Sequence, residues 1–581
     1  MPAPRPGAPC RWSRRRTGAG RPDRLAFGLR RRFRNDRRMT TTATPASQGR
    51  MPGQIKYIIG NEACERFSFY GMRNILVPFL ISSVLLAYLP EGSEREAMAK
   101  DVFHTFVIGV YFFPLLGGWL SDRYFGKYNT VLWFSLIYCA GHACLALFED
   151  NRTGFYTGLF LIALGSGGIK PLVVSFCGDQ FDQSNKDKAK VVFDAFYWII
   201  NFGSFFASLF APLLLRNFGP AVAFGVPGVL MFIATVIFWA GRRQYVNVPP
   251  SGNDPDSFLK VIRTALRERR AGQGNAGSMV AWTGITVAVL MLALWALKAV
   301  GVDLAWWPDS FGFVITACLA LGVLIAFGGW GASLQLDRAR GHHPDAAVDG
   351  VRAVLRILIV FALVTPFWSL FDQKASTWII QGNAMVIPHE QWWWPSWLVK
   401  EPAQMQALNP LLVMLLIPFN NLVLYPALRR MGFTVTALRR MGWGIAFSGV
   451  AWIAAGVIQL WIDGGAEVSL AWQSLPYLLL TFGEVLVSAT ALEFAYSQAP
   501  HAMKGVIMAF WYLTSTFGSL WVLLTNAGVR NDGFKAIITQ SGLSEPAFLM
   551  FFFAAFAFVA ALAFALYARR YPMQDNYRIA T

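Results

Sequence analysis

The sequence predicts an all-α polytopic membrane protein with about fourteen transmembrane helices. Hydrophobic residues make up 55% of the 581 residues and charged residues only 14%, whereas a soluble globular chain carries about 25% charged residues. The mean hydropathy of the chain is +0.42. Apolar runs close to the ~20 residues that a helix needs to cross a bilayer recur along most of the chain. Together these observations exclude a soluble globular domain.

The predicted spans extend from residue 54 to residue 569. Lys and Arg cluster in alternate short loops, beginning after the second span, and loops of this kind stay in the cytoplasm. The pattern of positive loops and the even number of spans place both termini in the cytoplasm. In chain order the fourteen spans are expected at 54–88, 98–121, 129–148, 154–178, 192–215, 220–241, 279–300, 310–330, 350–381, 404–427, 441–462, 472–498, 505–527 and 546–569.

The first 50 residues differ in composition from the rest of the chain. They carry fourteen Arg and two Asp, many Pro and Gly, and no apolar periodicity. Such a composition is typical of a disordered segment. Two interpretations are open: a tail that binds anionic lipid or nucleic acid, or a segment translated from an upstream start, with Met39 or Met51 as the true beginning. We favour the second and expect no nucleic-acid partner.

A polar linker divides the spans into two groups. The linker at about 242–278 contains a Pro-Pro-Ser-Gly turn and separates six spans from eight. The seventh and eighth spans are very apolar, and without them two sets of six remain. We therefore expect an N-terminal six-helix bundle at 51–241, a linker with two inserted helices at 242–349 and a C-terminal six-helix bundle at 350–581. The inserted pair is either a lateral insert or a dimer face.

Three charged residues stand close together within the first predicted span. Glu62, Glu65 and Arg66 are spaced i, i+3 and i+4, so they share one helix face. Each charge costs ~2.5–3.5 kcal/mol at the centre of a membrane helix. Charged residues in such positions normally face one another or a water-filled cavity. This face is therefore the first candidate wall of a polar pathway through the bilayer.

Two further ionisable residues lie alone inside predicted spans. Lys170 is in the fourth span and Glu484 in the twelfth. A fixed cation in a low-dielectric cavity suits a carboxylate ligand, and Arg can bind one through two hydrogen bonds. An isolated carboxylate such as Glu484 suits an ammonium group. The alternative is that Arg66 or Lys170 forms a structural ion pair with Glu62 or Glu65.

No motif points to enzymatic chemistry, a cofactor or a metal. The six cysteines show no metal-ligand spacing, and no nucleotide-binding loop or nucleophile elbow is present. His342-His343 beside Asp345 is a thin candidate for a catalytic or metal cluster, and it falls in a predicted cytoplasmic loop. We therefore expect a protein that is not an enzyme and that needs neither a cofactor nor a metal.

Several segments carry recognisable signature motifs. Residues 117–127 have the GxxxDRxxG-like pattern of a cytoplasmic loop, and the longer run 117–141 continues it with further matching positions. The run 193–205 matches in the fifth span, and the other matches are at 62–71, 168–171, 367–373 and 483–500. The first loop resembles the signature of the major facilitator superfamily. In this order the motifs resemble those of its proton-dependent oligopeptide transporter (POT) family, across about residues 55–570.

The resemblance implies that seven side chains contact a substrate between the two bundles. The cations are expected to hold the carboxylate of a peptide, the glutamate its ammonium group, and the Asn and Tyr residues its backbone and side chains. Without the resemblance, each Asn would be interpreted as a helix–helix hydrogen bond and each Tyr as packing. Three positions depart from the family pattern, Phe69, Lys374 and Phe202. The seven residues are Arg66, Tyr70, Tyr111, Lys170, Asn201, Asn409 and Glu484.

The resemblance also implies a group of residues for proton coupling and gating. Arg73 is expected to approach Asp372 on the ninth span, and an ion pair between the bundles would close the extracellular side. Protonating the carboxyl would break this pair. His104 titrates near neutrality and matches the animal-type branch of the family; the alternative is a hydrogen-bonded core histidine. Glu62 and Glu65 are further titratable candidates.

The loop between the second and third spans is expected to act as a hinge. In the family, this loop orders the cytoplasmic ends of the helices during gating and does not contact substrate. The residues that carry the resemblance are Gly118, Asp122, Arg123 and Gly126.

The residues and the resemblance together predict a proton-coupled symporter. It would import di- and tripeptides across the bacterial cytoplasmic (inner) membrane by alternating access, with protons and the lipid bilayer as its other partners. Three rivals are a transporter of the same fold for nitrate, an amino-acid-like drug or another small solute, a membrane enzyme, and a peptide receptor without transport. The paired opposite charges favour a zwitterion over an anion. The oligomeric state is left open.

Overall fold

The computed structural model describes residues 51–181, 186–250, 252, 254–269, 274–304, 307–498 and 504–572. Within these ranges the chain forms nineteen α-helices, short 3-10 turns and two π-helical turns, and its β-structure is limited to two isolated bridges. The predicted basic head at 1–50 lies outside the described residues.

The helices follow one another with short connections. We number them α1 (Ile55–Ser82), α2 (Ser93–Phe112), α3 (Pro114–Leu120), α4 (Gly126–Leu147), α5 (Arg152–Gly178), α6 (Lys186–Phe218), α7 (Pro220–Ala240), α8 (Phe258–Arg267), α9 (Ala276–Ala299), α10 (Phe313–Gln335), α11 (Asp345–Asp372), α12 (Thr377–Asn383), α13 (Leu408–Phe419), α14 (Tyr425–Arg430), α15 (Ala437–Asp463), α16 (Ser474–Gln498), α17 (Lys504–Val529), α18 (Asp532–Ser541) and α19 (Glu545–Ala568).

The predicted fold class is confirmed. Each predicted span coincides with helix, and twelve helical stretches of the described chain are long and apolar enough to cross a membrane. One stretch, Ser93–Leu147, contains two predicted spans because helical structure continues through the connection between them. The helix α1 is not among the twelve, and we attribute this to the charged residues that lower its hydropathy. Counting Ser93–Leu147 as two spans and adding α1 gives the fourteen predicted spans.

The helices pack around two large apolar cores. One core takes its buried side chains mainly from α1, α2 and α4–α7, and the other takes them mainly from α8, α11 and α15–α17 with α19. We call α1–α7 the N-terminal half and α11–α19 the C-terminal half. The two cores agree with two helical bundles, while the domain boundaries at 51–241, 242–349 and 350–581 stay a prediction.

Glycines bring α5 close to its neighbours and so position the polar residues on it. A Cβ atom at Gly168 would come within 2.2 Å of the Phe134 ring, and one at Gly165 within 2.7 Å of Tyr138 Cβ, both on α4. These distances are far below van der Waals contact, so the helices approach this closely only with glycine. The glycine run therefore fixes the depth at which Lys170, two residues later, enters the bundle.

The two inserted helices, α9 and α10, pair through glycine as well. A Cβ at Gly277 would lie 2.3 Å from the backbone oxygen of Gly331, and a Cβ at Gly331 would lie 2.4 Å from that of Gly277. Most residues of α9 are exposed in the chain, whereas most residues of α10 are half-buried or buried. Their role as a lateral insert or a dimer face stays a prediction.

The linker between α7 and α9 is bound to both halves. Gln180, at the end of α5, donates to the Val246 backbone oxygen at 3.0 Å and accepts from its nitrogen at 2.9 Å. On the other side, His343 lies 2.7 Å from an Asp256 oxygen and 2.9 Å from the Thr264 hydroxyl. His343, which the sequence suggested as a weak candidate for a catalytic or metal cluster, therefore binds the linker and its helix α8.

Candidate substrate and proton site

The three charged residues of α1 meet in a buried cluster. Arg66 Nε donates to Glu62 Oε1 at 2.6 Å and lies 3.1 Å from Glu65 Oε2. Both glutamates are fully buried. Glu62 Oε2 and both Glu65 oxygens have no hydrogen-bond partner among the described residues, so the contact with Glu65 is an ion pair without hydrogen-bond geometry. One guanidinium therefore faces two carboxylates, as the helical spacing predicts.

Lys170 enters from α5 and is also buried. Its ammonium nitrogen lies 3.4 Å above the centre of the Phe69 ring, which is a cation–π contact. In the part of the chain that the structure describes, it makes no ion pair with Glu62 or Glu65. The ion-pair alternative therefore applies to Arg66 and not to Lys170. The phenyl ring at Phe69, a departure from the family pattern, supports the cation without neutralising it.

Glu484 on α16 anchors a chain of polar contacts in the C-terminal half. Asn409 Nδ2 donates to Glu484 Oε2 at 2.6 Å and to Thr481 Oγ1 at 3.0 Å. Lys374 Nζ donates to Asn409 Oδ1 at 2.7 Å and lies 3.3 Å above the Phe371 ring. The amide of Asn409 therefore joins a buried ammonium group to a half-buried carboxylate. The second family departure, Lys374, directs its hydrogen bond to this site.

Two predicted tyrosines lie at the site, and Tyr70 is between its cationic and acidic groups. Tyr70 is in electrostatic range of both Arg66 and Glu484. Tyr111 on the N-terminal half stacks against Tyr512 of α17, with ring centroids 6.3 Å apart. The structure therefore brings together the predicted cation, the predicted carboxylate and both predicted tyrosines, although they come from helices far apart in the chain.

Asn201 makes a local contact. Its side-chain nitrogen donates to the Tyr197 backbone oxygen at 2.9 Å, one turn earlier in α6. This bond uses the amide donor and leaves the amide oxygen as an acceptor. Tyr197 itself is in electrostatic range of Glu484, so this part of α6 lies toward the acidic side of the site.

Arg73 and Asp372 form a buried ion pair between the two halves. Arg73 Nη2 donates to Asp372 Oδ1 at 2.6 Å, and the two residues are 4% and 2% exposed. The Ser515 hydroxyl on α17 donates to Asp372 Oδ2 at 3.1 Å. The contact expected from the resemblance is therefore present, and Asp372 is bound by α1 and α17 together.

His104 on α2 also contacts the C-terminal half. Its Nε2 lies 3.2 Å from the Ser376 hydroxyl and its Nδ1 lies 3.4 Å from the Ser519 hydroxyl. Because a hydroxyl both donates and accepts, a neutral imidazole is satisfied in either tautomer. The geometry fits the alternative of a hydrogen-bonded core histidine, placed between the halves. A proton role for His104 stays a prediction.

Other polar contacts join the halves near the same ends of these helices. They involve the last turns of α1, α6 and α17 and the first turns of α2, which the predicted orientation places on the extracellular side. The pairs are Gln406 with the Asn74 backbone at 3.3 Å, Gln404 with the Leu209 backbone at 2.8 Å, Arg216 with Glu401 at 3.0 Å and Asn526 with Asp101 at 2.8 Å.

The signature loop forms a π-helical turn that a glycine ends. The turn spans Ser121–Phe125, and Gly126 follows with φ +72°, in the left-handed region that favours glycine. The backbone oxygen of Asp122 accepts from the linker at 3.4 Å, and Arg123 donates to the neighbouring tyrosine hydroxyl at 3.3 Å. Gly118 lies before the turn, on α3, where a Cβ would meet nothing within 4 Å.

Sequence analysis missed His142, a buried titratable residue. His142 on α4 is fully buried, and its Nε2 lies 2.9 Å from the Ser68 hydroxyl, three residues after Glu65. A search of the third predicted span for titratable side chains would have found it. Its contact with α1 depends on how the helices pack, which no local pattern shows.

The site offers fixed cations, carboxylates and aromatic surfaces. Among the described residues, no group of three or more His, Cys, Asp or Glu side chains is arranged to hold a metal ion. The predicted cations, Arg66 and Lys170, lie on the N-terminal half, and the predicted carboxylate, Glu484, lies on the C-terminal half. Each half also carries the opposite charge, in Glu62 and Glu65 on one and in Lys374 on the other. A ligand with two opposite charges would contact both halves if it bound the predicted groups. This arrangement suits binding and release rather than bond-breaking chemistry.

Comparison with known proteins decides the family. Residues 128–527 match the profile described as the POT family, and residues 26–223 match one described as an MFS/sugar transport protein. The chain belongs to the POT family. Because this is a family of transporters, the prediction that the chain is not an enzyme is confirmed.

Curated relatives of this POT family member are named as transporters. Peptide transporter 3 of Caenorhabditis elegans is 31% identical over 433 residues, covering 72% of this chain and 52% of that protein. Solute carrier family 15 member 2 of Rattus norvegicus is 30% identical over 456 residues, covering 76% of this chain and 53% of that protein. The chain spans about half the length of the curated relatives it matches.

A solved structure gives a fuller match. The crystal structure of an auto-inhibited POT family peptide transporter is 64% identical, with a TM-score of 0.84. The match covers 91% of this chain and 99% of that one. The major facilitator fold expected from the loop motif is therefore the fold of this POT family member.

Proposed function

We propose that the chain is a proton-coupled symporter that imports di- and tripeptides across the bacterial cytoplasmic membrane by alternating access, with both termini in the cytoplasm. The observation that carries the proposal is the placement of two buried cations on one half and of Glu484 on the other. Arg66 and Lys170 belong to the N-terminal half, and Glu484 belongs to the C-terminal half. A peptide zwitterion carries the complementary charges at its two ends.

Peptide binding would draw the two halves together. The carboxylate end would be held by Arg66 and Lys170, and the ammonium end by Glu484. Because each end binds a different half, the binding energy favours a closed cavity over either open form. Asn409 and Tyr70 lie where they can contact the backbone between the two ends. The name of the 64% identical neighbour, a peptide transporter, supports this cargo.

Proton coupling would operate at the ion pair between Arg73 and Asp372. With the carboxylate ionised, the pair closes the extracellular end. A proton that arrives from outside neutralises Asp372, leaves Arg73 without its partner and opens that end. The electrical part of the driving force is worth about 2.3 kcal/mol per charge per 100 mV.

The other predicted residues would assist the same cycle. Glu62 and Glu65 share one guanidinium, so protonation of either would release Arg66 for the peptide carboxylate. His104 would transmit movement or a proton between α2 and the C-terminal half. The turn that Gly126 ends would act as the cytoplasmic hinge.

A transporter of the same fold with another cargo is the second candidate. Nitrate or another small anion would use the cations but would bring no ammonium group to Glu484, which disfavours it. An amino-acid-like drug with two opposite charges matches the charges of the site as well as a peptide does, and it differs from a peptide in length. Competition with labelled dialanine for uptake distinguishes these cargoes.

Uptake by purified protein in proteoliposomes tests the proposal. Labelled dialanine should accumulate when the outside is acidic and should only equilibrate without a pH gradient. Unlabelled di- and tripeptides should compete, while nitrate and N-acetylated dialanine should compete weakly. Accumulation that ignores the gradient, or competition by nitrate equal to that by dipeptide, would contradict the proposal.

A further inference from the structure

A second polar cluster adjoins Glu65 within the N-terminal half. Ser68 on α1 lies 2.9 Å from Nε2 of His142 on α4. The ring of Tyr138, one turn earlier on α4, stacks on the His142 ring with centroids 5.2 Å apart and planes at 16°. All three side chains are fully buried. We call Glu65, Ser68, Tyr138 and His142 the inner cluster.

Glu65 belongs to both clusters on α1. Ser68 follows it by three residues and so lies on the same face of the helix. Tyr138 is in electrostatic range of Glu65 from the opposite helix. The titratable and charged groups that face Glu65 are Glu62, Arg66 and Tyr70 of α1, Tyr138 of α4 and Lys170 of α5.

Polar atoms of the inner cluster are buried without a hydrogen-bond partner in the described chain, although one Glu65 oxygen is in an ion pair with Arg66. They are the Tyr138 hydroxyl and both Glu65 oxygens. Nδ1 of His142 faces the Phe224 backbone without normal hydrogen-bond geometry. A buried polar atom that makes no hydrogen bond is costly, so such atoms in proteins are normally bonded to ordered water. Here a donor on α4 and acceptors on α1 are both left without a protein hydrogen bond, on two helices that Ser68 and His142 hold together at 2.9 Å.

We propose that the inner cluster holds ordered water between Tyr138 and Glu65, and that Tyr138 and His142 are positioning residues that set the pH at which Glu65 takes up a proton. The water donates to the ionised carboxylate and favours its charged form. His142 holds Ser68 by a hydrogen bond and holds the Tyr138 ring by stacking. The inference rests on the proposed function, because it names what tunes a proton site of the transport cycle.

The variant Tyr138→Phe distinguishes this proposal from a cluster that is packed without water. If the hydroxyl is unpaired in a dry site, its removal leaves transport unchanged and raises the melting temperature, because an unsatisfied buried group is lost. If the hydroxyl holds water for Glu65, its removal makes the charged carboxylate less stable. Glu65 then takes up its proton at higher pH, and the pH midpoint of dialanine uptake rises by about one unit.

Variants of His142 test the role of the second positioning residue. His142→Leu removes the bond to Ser68 and should move the midpoint upward as Tyr138→Phe does. His142→Gln cannot titrate, but its planar amide can both bond to Ser68 and lie against the Tyr138 ring, so its profile should stay close to the parent profile. The matched control is Tyr245→Phe, since the buried Tyr245 hydroxyl already donates to the Phe238 backbone oxygen at 3.0 Å.

Two measurements on the same purified proteins show whether the inner cluster affects proton uptake by Glu65. The first is gradient-driven dialanine uptake against external pH, with counterflow exchange to show that the folded cavity is intact. The second is infrared titration of the protonated carboxylic-acid band, with Glu65→Gln to assign Glu65. An upward shift in Tyr138→Phe and His142→Leu, absent from His142→Gln and the control, supports the proposal. Profiles and bands that superimpose on the parent overturn it.

The infrared measurement keeps this inference separate from the proposed function. If the parent shows no gradient-driven uptake, the proposed symport fails, while the shift of the Glu65 band still tests the inner cluster. If the parent accumulates dialanine and neither variant shifts the band, the inner cluster does not tune Glu65 and the symport proposal stands.

Discussion

Asp372→Asn is the substitution that bears most directly on coupling. It keeps the shape of the side chain and a partner for Ser515, but it removes the charge that faces Arg73 at 2.6 Å. Both partners are buried, and removing one member of a buried ion pair costs about 3–5 kcal/mol. If the conformation that is closed to the outside bears that loss, the equilibrium moves toward the open conformation by a factor of roughly one hundred to several thousand.

Two assays on the same proteoliposomes read out this change. Counterflow exchange should survive, because Asp372 does not hold the peptide. Accumulation driven by a pH gradient should be lost, because the proton can no longer change the charge at the gate. The matched control is Asp101→Asn, which weakens a partly exposed pair with Arg530 at the same end. Such a pair contributes about 0.2–1 kcal/mol, so the control should accumulate dialanine nearly as the parent does.

The reasoning is wrong if Asp372→Asn accumulates dialanine to the parent level. Loss of exchange together with accumulation would instead indicate a structural ion pair, especially with a lowered melting temperature. The exchanged pair, Arg73→Asp with Asp372→Arg, tests contact separately. Recovery of exchange and folding in that double variant would support the contact without establishing the proton role.

Three further predictions concern the site and its hinge. Glu484→Gln should weaken the binding of free dialanine by roughly 10- to 100-fold and that of N-acetylated dialanine much less, as measured by competition. Equal losses of affinity would exclude Glu484 as the partner of the ammonium group. Lys170→Ala should abolish gradient-driven uptake while some counterflow persists, and full gradient-driven uptake would refute this. Gly126→Ala should cost about 1–2 kcal/mol because of its positive φ and lower the melting temperature, whereas Gly118→Ala should not; a thermal melt of both variants decides this.

The fold and the charged residues proposed for the site were predictable from local pattern, whereas its Asn and Tyr residues came from the family resemblance. Apolar runs of bilayer length gave the spans, and the spacing of Glu62, Glu65 and Arg66 gave one polar face because helix geometry fixes which residues share a face. Lys170 and Glu484 stood out because a charge inside a span is costly and therefore informative.

The partners of these residues were harder to predict. The contact of Arg73 with Asp372 joins residues far apart in the chain, and it was expected from family resemblance rather than from spacing. Lys374 was noticed as a departure, but its bond to Asn409 depends on how α11 and α13 pack. The pairing of His142 with Ser68 was missed for the same reason. Contacts between helices depend on packing that no local period encodes.

The central claim is that peptide and proton cross together, and proton movement driven by peptide alone tests it most directly. Proteoliposomes with equal pH on both sides and no membrane potential are loaded with a pH-sensitive dye. Adding dialanine outside should acidify the lumen, because each peptide that enters brings a proton, and Asp372→Asn should not acidify it. Entry of labelled dialanine into the parent vesicles with no change in internal pH would contradict the account.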